Sequence, residues 1–276
     1  MANRYSAVGV FDSGLGGLTA LKELRALLPH EHFIYFGDTG RVPYGTRSQE
    51  TILRYADDDM RFLLSFDIKA AVVACGTVSA VALPKLKENF PAVPIIGAVE
   101  PACRTALRVS RTKRIGVFAT PATIGKKTFE ITLSRLCRES VVFPIACPMF
   151  VPLIEGGYVA PDCKVTRLIA AEYLEKLRGT EIDTLILGCT HYPIIRDLIA
   201  SVAAEVLGTA PHIVDAGFEA ALAAKELLHV GGMVNDSAEK GTVCYFVSDE
   251  TQNFTDIASL FLGEKAENVT KISLES

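Results

Sequence analysis

Short apolar runs rich in β-branched residues alternate with amphipathic stretches along the whole chain. Runs this short, bounded by turn residues, are typical of strands buried on both faces, and the stretches between them are typical of helices that connect parallel strands. The predicted strands are Ala7–Phe11, Phe33–Phe36, Ala70–Ala74, Pro94–Gly97, Ile115–Ala119, Val141–Ile145, Thr184–Leu187, His212–Val214 and Val243–Val247. The alternation predicts an α/β fold with largely parallel sheets flanked by helices.

Two of the connecting stretches, 48–65 and 162–177, carry apolar side chains at helical spacing behind a capping residue. The apolar face of the first is predicted to consist of Ile52, Ala56, Met60 and Leu63. That of the second is predicted to consist of Val165, Leu168, Ile169 and Tyr173. We expect each face to be buried.

Composition narrows the range of partners. The chain has 276 residues, 49% of them hydrophobic, which is enough to bury a sizeable core. Its 28 basic and 32 acidic residues are interspersed and give a net charge of −4, so no basic field is available for nucleic acid. The apolar run before Asp12 is far too short for a secretory signal or a membrane span. We therefore expect a cytoplasmic protein with no nucleic-acid or membrane partner.

Two segments of the chain resemble each other around a cysteine. In 71–77 and in 184–190, a buried-strand pattern leads into a cysteine, a threonine follows within two residues, and a helical pattern comes next. This similarity indicates an internal duplication. Because ligands bind outside the carboxyl ends of parallel strands, two such ends from two similar lobes could face each other across one cleft.

The two cysteines in these segments, Cys75 and Cys189, are candidates for chemistry. Each stands between a strand and a helix, where backbone N–H groups and the helix dipole favour a thiolate. The seven cysteines include no CxxC pair, which is typical of reduced intracellular thiols. We expect the other five to be buried packing residues. These are Cys103, Cys137, Cys147, Cys163 and Cys244.

An imidazole and a carboxylate are further candidates. His191 lies two residues after Cys189, a spacing that suits either acid/base cooperation with the thiol or metal ligation. No second Cys/His pair at ligand spacing accompanies it, so we expect no metal. Glu155 follows an apolar run and precedes two glycines, where a solvated carboxylate at a helix end is the alternative to a functional one.

A glycine-rich turn follows Asp12 at the end of the first predicted strand. With Asp38 closing the second strand, this turn resembles a dinucleotide-binding site. Two features argue against that interpretation: Thr19 stands where the third glycine of the fingerprint would fall, and Asp12 would repel a pyrophosphate. We expect instead that the turn approaches a small anion such as a carboxylate, with Asp12 facing a cationic group.

Taken in order, these strings resemble glutamate racemase, within the aspartate/glutamate racemase superfamily. The resemblance runs nearly end to end, through residues 9–18, 37–45, Cys75 with Thr77, 152–155 and 187–193. It implies an isomerase that interconverts L- and D-glutamate without a cofactor and supplies D-glutamate for peptidoglycan synthesis.

The resemblance also implies an architecture. Residues 1–97 together with 208–276 would form one α/β lobe, and residues 98–207 would form a second. The lobes would be related by pseudo-twofold symmetry, with the active site in the cleft between them. Members of the family often pair, so a homodimer is an expectation.

Matched position by position, the resemblance makes Cys75 and Cys189 two bases on opposite faces of the substrate. Asp12 and His191 would assist the two thiols, with Glu155 close to the second. Substrate contacts would come from Asp12, Ser13, Tyr44, Gly45, Gly76, Thr77, Thr120, Thr123, Thr190 and His191. Inverting an amino acid needs an acid and a base on opposite faces, and two facing thiols supply them without cofactor or metal.

The chain departs from the family pattern at Gly76, because the family string normally reads Cys-Asn-Thr. A missing hydrogen bond to a charged group costs about 1.5–3 kcal/mol unless another donor compensates. Two alternatives therefore stay open. One is a superfamily racemase acting on aspartate or another amino or carboxylic acid, and the other is a paralogue that binds a small acid without turnover.

Overall fold

The computed structural model of the chain describes residues 2–249 and 254–274. The strands in this part are β1 (Ala7–Asp12), β2 (Phe33–Gly37), β3 (Ile68–Val73), β4 (Ile95–Gly97), β5 (Arg114–Ala119), β6 (Val141–Ala146), β7 (Thr184–Leu187), β8 (His212–Asp215), β9 (Val243–Val247) and β10 (Val269–Lys271). All of the predicted strands are confirmed. The sequence pattern missed the three-residue strand β10, whose burial is only partial.

Helices connect the strands throughout. They are α1 (Leu18–Leu27), α2 (Gln49–Leu64), α3 (Gly76–Val81), α4 (Leu83–Asn89), α5 (Val99–Val109), α6 (Pro121–Gly125), α7 (Thr128–Leu136), α8 (Phe150–Glu155), α9 (Lys164–Glu175), α10 (Arg196–Leu207), α11 (Ala216–Val230) and α12 (Phe254–Leu262). Two short 3-10 turns, Tyr44–Thr46 and Tyr192–Ile195, complete the set. None of these helices is long and apolar enough to cross a membrane.

The strands form two parallel sheets. The first has the order β10-β9-β2-β1-β3-β4 and the second the order β6-β5-β7-β8. All of their pairings are parallel, as expected for strands that are joined by helices and buried on both faces. The predicted α/β class is confirmed, with one sheet in each lobe.

The structure moves one lobe boundary. The sequence assigns residues from 208 onward to the first lobe, but β8 pairs with β7 in the second sheet, with Ile213 opposite Leu185. Gly208, which has φ 77°, ends α10 and does not mark a change of lobe. The chain therefore returns to the first lobe after Asp215, through α11. Residues 1, 250–253 and 275–276 of the predicted first lobe lie outside the described residues.

The two predicted helix faces have different outcomes. In α2 all four predicted positions are buried, and the Ser48 side chain caps the helix by accepting the backbone N–H of Thr51. In α9 the predicted face is right for Tyr173, which is buried, and for Ile169, which packs against the core. It is wrong for Val165 and Leu168, which are exposed, while Thr166 and Ala170 are buried in their place. The buried face of α9 follows its packing against α10 and the hydrogen bond from the Thr166 hydroxyl to a main-chain carbonyl.

Candidate active site

Strands of both lobes end at one cleft. β1 and β3 of the first lobe end at Asp12 and Val73, and β5 and β7 of the second end at Ala119 and Leu187. The segments that follow enclose a cavity of about 330 Å³. The cavity is lined by Ser13, Gly14, Val42, Pro43, Tyr44, Gly45, Thr46, Cys75, Gly76, Thr77, Thr120, Pro121, Cys147, Pro148, Val151, Pro152, Glu155, Cys189, Thr190 and His191. The structure thus brings together the predicted site residues, with Asp12 and Thr123 standing behind the lining.

The first thiol lies where β3 turns into α3. Cys75 is buried, and its Sγ donates to the Ser13 hydroxyl at 3.3 Å. Burial and the negative charge of Asp12 raise the pKa of the Cys75 thiol to about 12. This thiol therefore carries its proton at neutral pH.

Asp12 lies behind the first thiol and reaches the other lobe. Its carboxylate accepts the backbone N–H of Gly14 at 2.9 Å and the hydroxyl of Thr190 at 3.3 Å. Burial raises its pKa, while the charge of His191 and the hydrogen bonds act in the opposite direction. Asp12 is therefore linked to both halves of the site without lining the cavity.

The second thiol belongs to a chain of three side chains. Cys189 Sγ lies 3.9 Å from His191 Nδ1, and His191 Nε2 lies 2.8 Å from Glu155 Oε1. Burial lowers the pKa of His191, but the hydrogen bonds and charges of Cys189 and Glu155 outweigh it and raise that pKa to about 10. His191 is therefore an imidazolium at neutral pH, and its positive charge lies beside the Cys189 sulfur. The two thiols have opposite surroundings, since Cys75 faces a carboxylate.

Three threonine hydroxyls form a ring across the cleft. Thr77 of the first lobe lies 3.0 Å from Thr120 of the second, Thr120 lies 3.0 Å from Thr123, and Thr123 lies 3.3 Å from Thr77. Thr123 is buried and does not line the cavity, so its hydroxyl orients the other two. Hydroxyls both donate and accept, which suits them to the polar groups of a small ligand.

The glycine-rich turn packs against the opposite lobe. A Cβ at Gly16 would lie 2.4 Å from His191 Nδ1 and 2.4 Å from Thr190 Oγ1. The hydroxyl of Thr19, which replaces the third glycine of a dinucleotide fingerprint, donates to the main-chain carbonyls of Gly16 and Thr190. Asp38 is buried and bound by Arg41. The turn therefore supports the loop that carries His191. Asp38, which would bind the ribose in a dinucleotide site, instead binds Arg41.

Gly76 is a second point of close approach between the lobes. A Cβ built there would lie 2.0 Å from the carbonyl oxygen of Gly188, and the obstacle is main chain. The two similar segments thus meet through their backbones, directly beside the two thiols. A side chain at position 76 would force the segments apart.

Sequence reasoning missed one thiol of the cavity wall. Cys147, interpreted as a packing residue, is buried but follows β6 at the same edge of the sheet, and its carbonyl accepts the Tyr192 hydroxyl at 2.9 Å. Its position at a strand end was the signal that could have found it. Of the other expected packing cysteines, Cys103 is buried as predicted, and Cys137 and Cys163 are half-buried. The prediction is wrong for Cys244, which is exposed on β9.

Within 2–249 and 254–274, no three His, Cys, Asp or Glu side chains are grouped so as to hold a metal ion. The site consists of thiols, hydroxyls, backbone amides and one imidazole–carboxylate pair.

The chain is similar to known proteins over nearly its full length. The family model described as Asp/Glu/Hydantoin racemase matches residues 19–223. The glutamate racemases of Geobacter metallireducens and Chlorobaculum tepidum are each 43% identical, over 99% and 98% of this chain and 98% and 97% of theirs. The crystal structure of the Francisella tularensis glutamate racemase in complex with D-glutamate is 34% identical, covers 99% of both chains and has a TM-score of 0.90. The chain therefore belongs to the Asp/Glu/Hydantoin racemase family, among the glutamate racemases.

Proposed function

We propose that this chain interconverts L- and D-glutamate without a cofactor. Of Cys75 and Cys189, one removes the α-proton and the other donates a proton to the opposite face of the α-carbon. The supporting observation is that one thiol from each lobe lines the same cavity, and that their charged neighbours are opposite in sign. A base is needed on one face of the α-carbon and an acid on the other, and such an arrangement prepares one thiol for each task.

In the first direction Cys189 is the base. The imidazolium of His191, whose pKa is raised to about 10, stabilises the Cys189 thiolate, and Glu155 holds the ring. The thiolate removes the α-proton of one enantiomer. Cys75 keeps its own thiol proton because its pKa is raised to about 12. It donates this second proton to the opposite face of the α-carbon. The step leaves a thiol at Cys189 and a thiolate at Cys75.

The opposite enantiomer reacts from that second state with the roles reversed. The thiolate at Cys75 then faces Asp12, whose pKa is raised by burial. Hydrogen bonds from Ser13 and from the backbone N–H groups of Ser13 and Val78 lower the pKa of Cys75 and so stabilise this thiolate. Each factor of ten in rate corresponds to about 1.4 kcal/mol of barrier, so modest electrostatic differences between the two states set the preferred direction.

The substrate is held by the polar lining. We assign this role to Ser13, Tyr44, Gly45, Gly76, Thr77, Thr120, Thr190 and His191, with Asp12 and Thr123 supporting them from behind. Gly76 offers its backbone N–H alone. Glutamate is favoured because the related Francisella tularensis protein, 34% identical, was crystallised in complex with D-glutamate.

The proposed cellular role follows the family. We propose that the protein works in the cytoplasm, supplies D-glutamate for peptidoglycan synthesis and forms a homodimer. A strain that depends on this chain as its source of D-glutamate should require added D-glutamate when the chain is removed. Growth without that supplement would contradict the role.

One observation favours a second candidate. Gly76 stands where the family string has asparagine, so the cavity wall lacks a side-chain amide there. This difference suits a racemase of the same family that acts on aspartate or another amino acid. The two candidates share the two-thiol chemistry and differ in the substrate alone.

The test is incubation of the purified protein with L-glutamate, and in parallel with L-aspartate, without pyridoxal phosphate or metal. Chiral chromatography should show L-glutamate becoming an equal mixture of enantiomers. Conversion of aspartate in place of glutamate would favour the second candidate. Absence of α-hydrogen exchange from a panel of amino acids would refute both.

A further inference from the structure

The tyrosine that lines the cavity is anchored on two buried aspartates. Residues 42–46, here called the cavity loop, all line the cavity, and Tyr44 begins their 3-10 turn. The Tyr44 ring is buried, and its hydroxyl contacts Asp38 after β2 and Asp59 on α2. Both aspartates are 0% exposed, so their hydrogen bonds must be satisfied within the protein.

The Tyr44 hydroxyl contacts both aspartates but has a single proton to donate. Asp38 accepts from Arg41 Nε at 2.5 Å, from the Ser248 hydroxyl at 2.6 Å and from the Tyr44 hydroxyl. Asp59 accepts from Arg41 through Oδ1 at 2.9 Å, while its Oδ2 lies 3.1 Å from the Tyr44 oxygen. A tyrosine has one hydroxyl proton, and the shorter contact assigns it to Asp38. The contact with Asp59 is then satisfied when Asp59 itself carries a proton.

Negative charge exceeds positive charge in the contacts around Arg41. Arg41 contacts three carboxylates, those of Asp38, Asp58 and Asp59. Arg54, the nearby cation on α2, rests over an aromatic ring. Burial and the negative charge of Asp38 raise the pKa of Asp59 well above its ordinary value. A neutral Asp59 reduces the excess of negative charge around a single guanidinium.

We infer that Asp59 is a positioning residue for the proposed reaction: it remains protonated, donates to the Tyr44 hydroxyl and so fixes the cavity loop. Tyr44 then donates to Asp38 and accepts from Asp59. The next residue, Gly45, packs against the second lobe, since a Cβ there would lie 3.0 Å from Thr120 Cβ. Movement of Tyr44 would therefore displace the cavity loop against a threonine of the hydroxyl ring.

The two aspartates differ in what an amide substitution should do. In Asp59→Asn the amide N–H donates to Tyr44 and the amide oxygen accepts from Arg41, which reproduces the protonated acid. In Asp38→Asn one amide orientation turns N–H groups towards Arg41 and Tyr44, and the other turns them towards Ser248. We expect kcat/KM within about threefold of wild type for Asp59→Asn and a loss of at least about tenfold for Asp38→Asn. Asp59→Ala, which leaves Tyr44 without its donor, should also lose at least about tenfold.

An infrared comparison at neutral pH measures the proton directly. The difference spectrum of wild type minus Asp59→Asn should contain the carbonyl band of a protonated carboxylic acid. A pair of carboxylate bands in its place would overturn the inference, as would a loss of activity in Asp59→Asn equal to that in Asp59→Ala. The kinetic comparison depends on the proposed function. The infrared comparison measures the protonation of Asp59 even if the protein does not racemise glutamate, and it does not need Asp38→Asn to fold.

Discussion

The glycine beside the first thiol sets how closely the two lobes approach. A Cβ at Gly76 would lie 2.0 Å from the Gly188 carbonyl oxygen, whereas ordinary contact begins at 3.4 Å. The difference, 3.4 − 2.0 = 1.4 Å, must be taken up by main chain, because no flexible side chain is in the way. A misplacement of about 1 Å in a site that depends on orientation costs on the order of 10²-fold in rate. Gly76→Ala should therefore lower kcat by about 10²-fold.

The assay is racemisation followed by circular dichroism, with the melting temperature measured in parallel. Gly125→Ala is the matched control, since a Cβ there meets nothing within 4 Å, and it should leave kcat unchanged. A melting temperature close to wild type in Gly76→Ala would locate the loss in the separation of the thiols. Turnover within about threefold of wild type for Gly76→Ala would refute the reasoning.

The same geometry bears on the family asparagine. Any L-residue at position 76 brings the same Cβ, so Gly76→Asn should impair this chain and not improve it. A gain in kcat/KM for Gly76→Asn would show that the missing amide, and not the close approach, dominates.

Three further changes test other parts of the structure. The pKa of His191 rises from 6.5 to about 10 on folding, so its stabilising effect is complete below pH 6.5 and is lost as the pH rises through 10. The difference in melting temperature between wild type and His191→Gln should therefore decrease over that pH range. A difference that stays constant would contradict this expectation. Thr123→Val removes one of the three threonine hydroxyls and should raise KM while lowering the unfolding free energy by about 1 kcal/mol. An unchanged KM would show that these hydroxyls do not contribute to substrate binding. Ser48→Ala removes the cap of α2 and should lower the unfolding free energy by about 1 kcal/mol in a denaturant titration, with kcat unchanged; equal stability would show that the cap contributes nothing.

The strands could be predicted because their signal is local. A buried parallel strand is a short apolar run whatever its partner is, so the runs identified β1 to β9. The partner is a non-local property, and β8 was assigned to the wrong lobe because nothing in its four residues distinguishes the two sheets. The face of α9 was predicted only for Ile169 and Tyr173, because the orientation of a helix with apolar residues on several sides depends on its neighbours.

The site was predictable where chemistry and strand ends coincide. Cys75 and Cys189 each follow a strand, and the similarity of their segments drew attention to both. The close approaches at Gly16 and Gly76 could not be predicted, because they depend on the distance between lobes. The pairing of Asp59 with the cavity loop was missed for the same reason, since the helical pattern of α2 gives no sign that a carboxylate on it is buried.

In the proposed mechanism one thiol removes the α-proton and the other donates a proton to the opposite face, and substitution of each cysteine tests both roles. Racemisation of L- and D-glutamate should be measured for Cys75→Ser and Cys189→Ser, with Cys244→Ser as an exposed control. Each of the first two should lose about 10²–10⁴-fold in turnover, the usual contribution of a positioned acid or base, at an unchanged melting temperature. Cys244→Ser should match wild type. Wild-type turnover in either Cys75→Ser or Cys189→Ser would contradict the two-thiol mechanism.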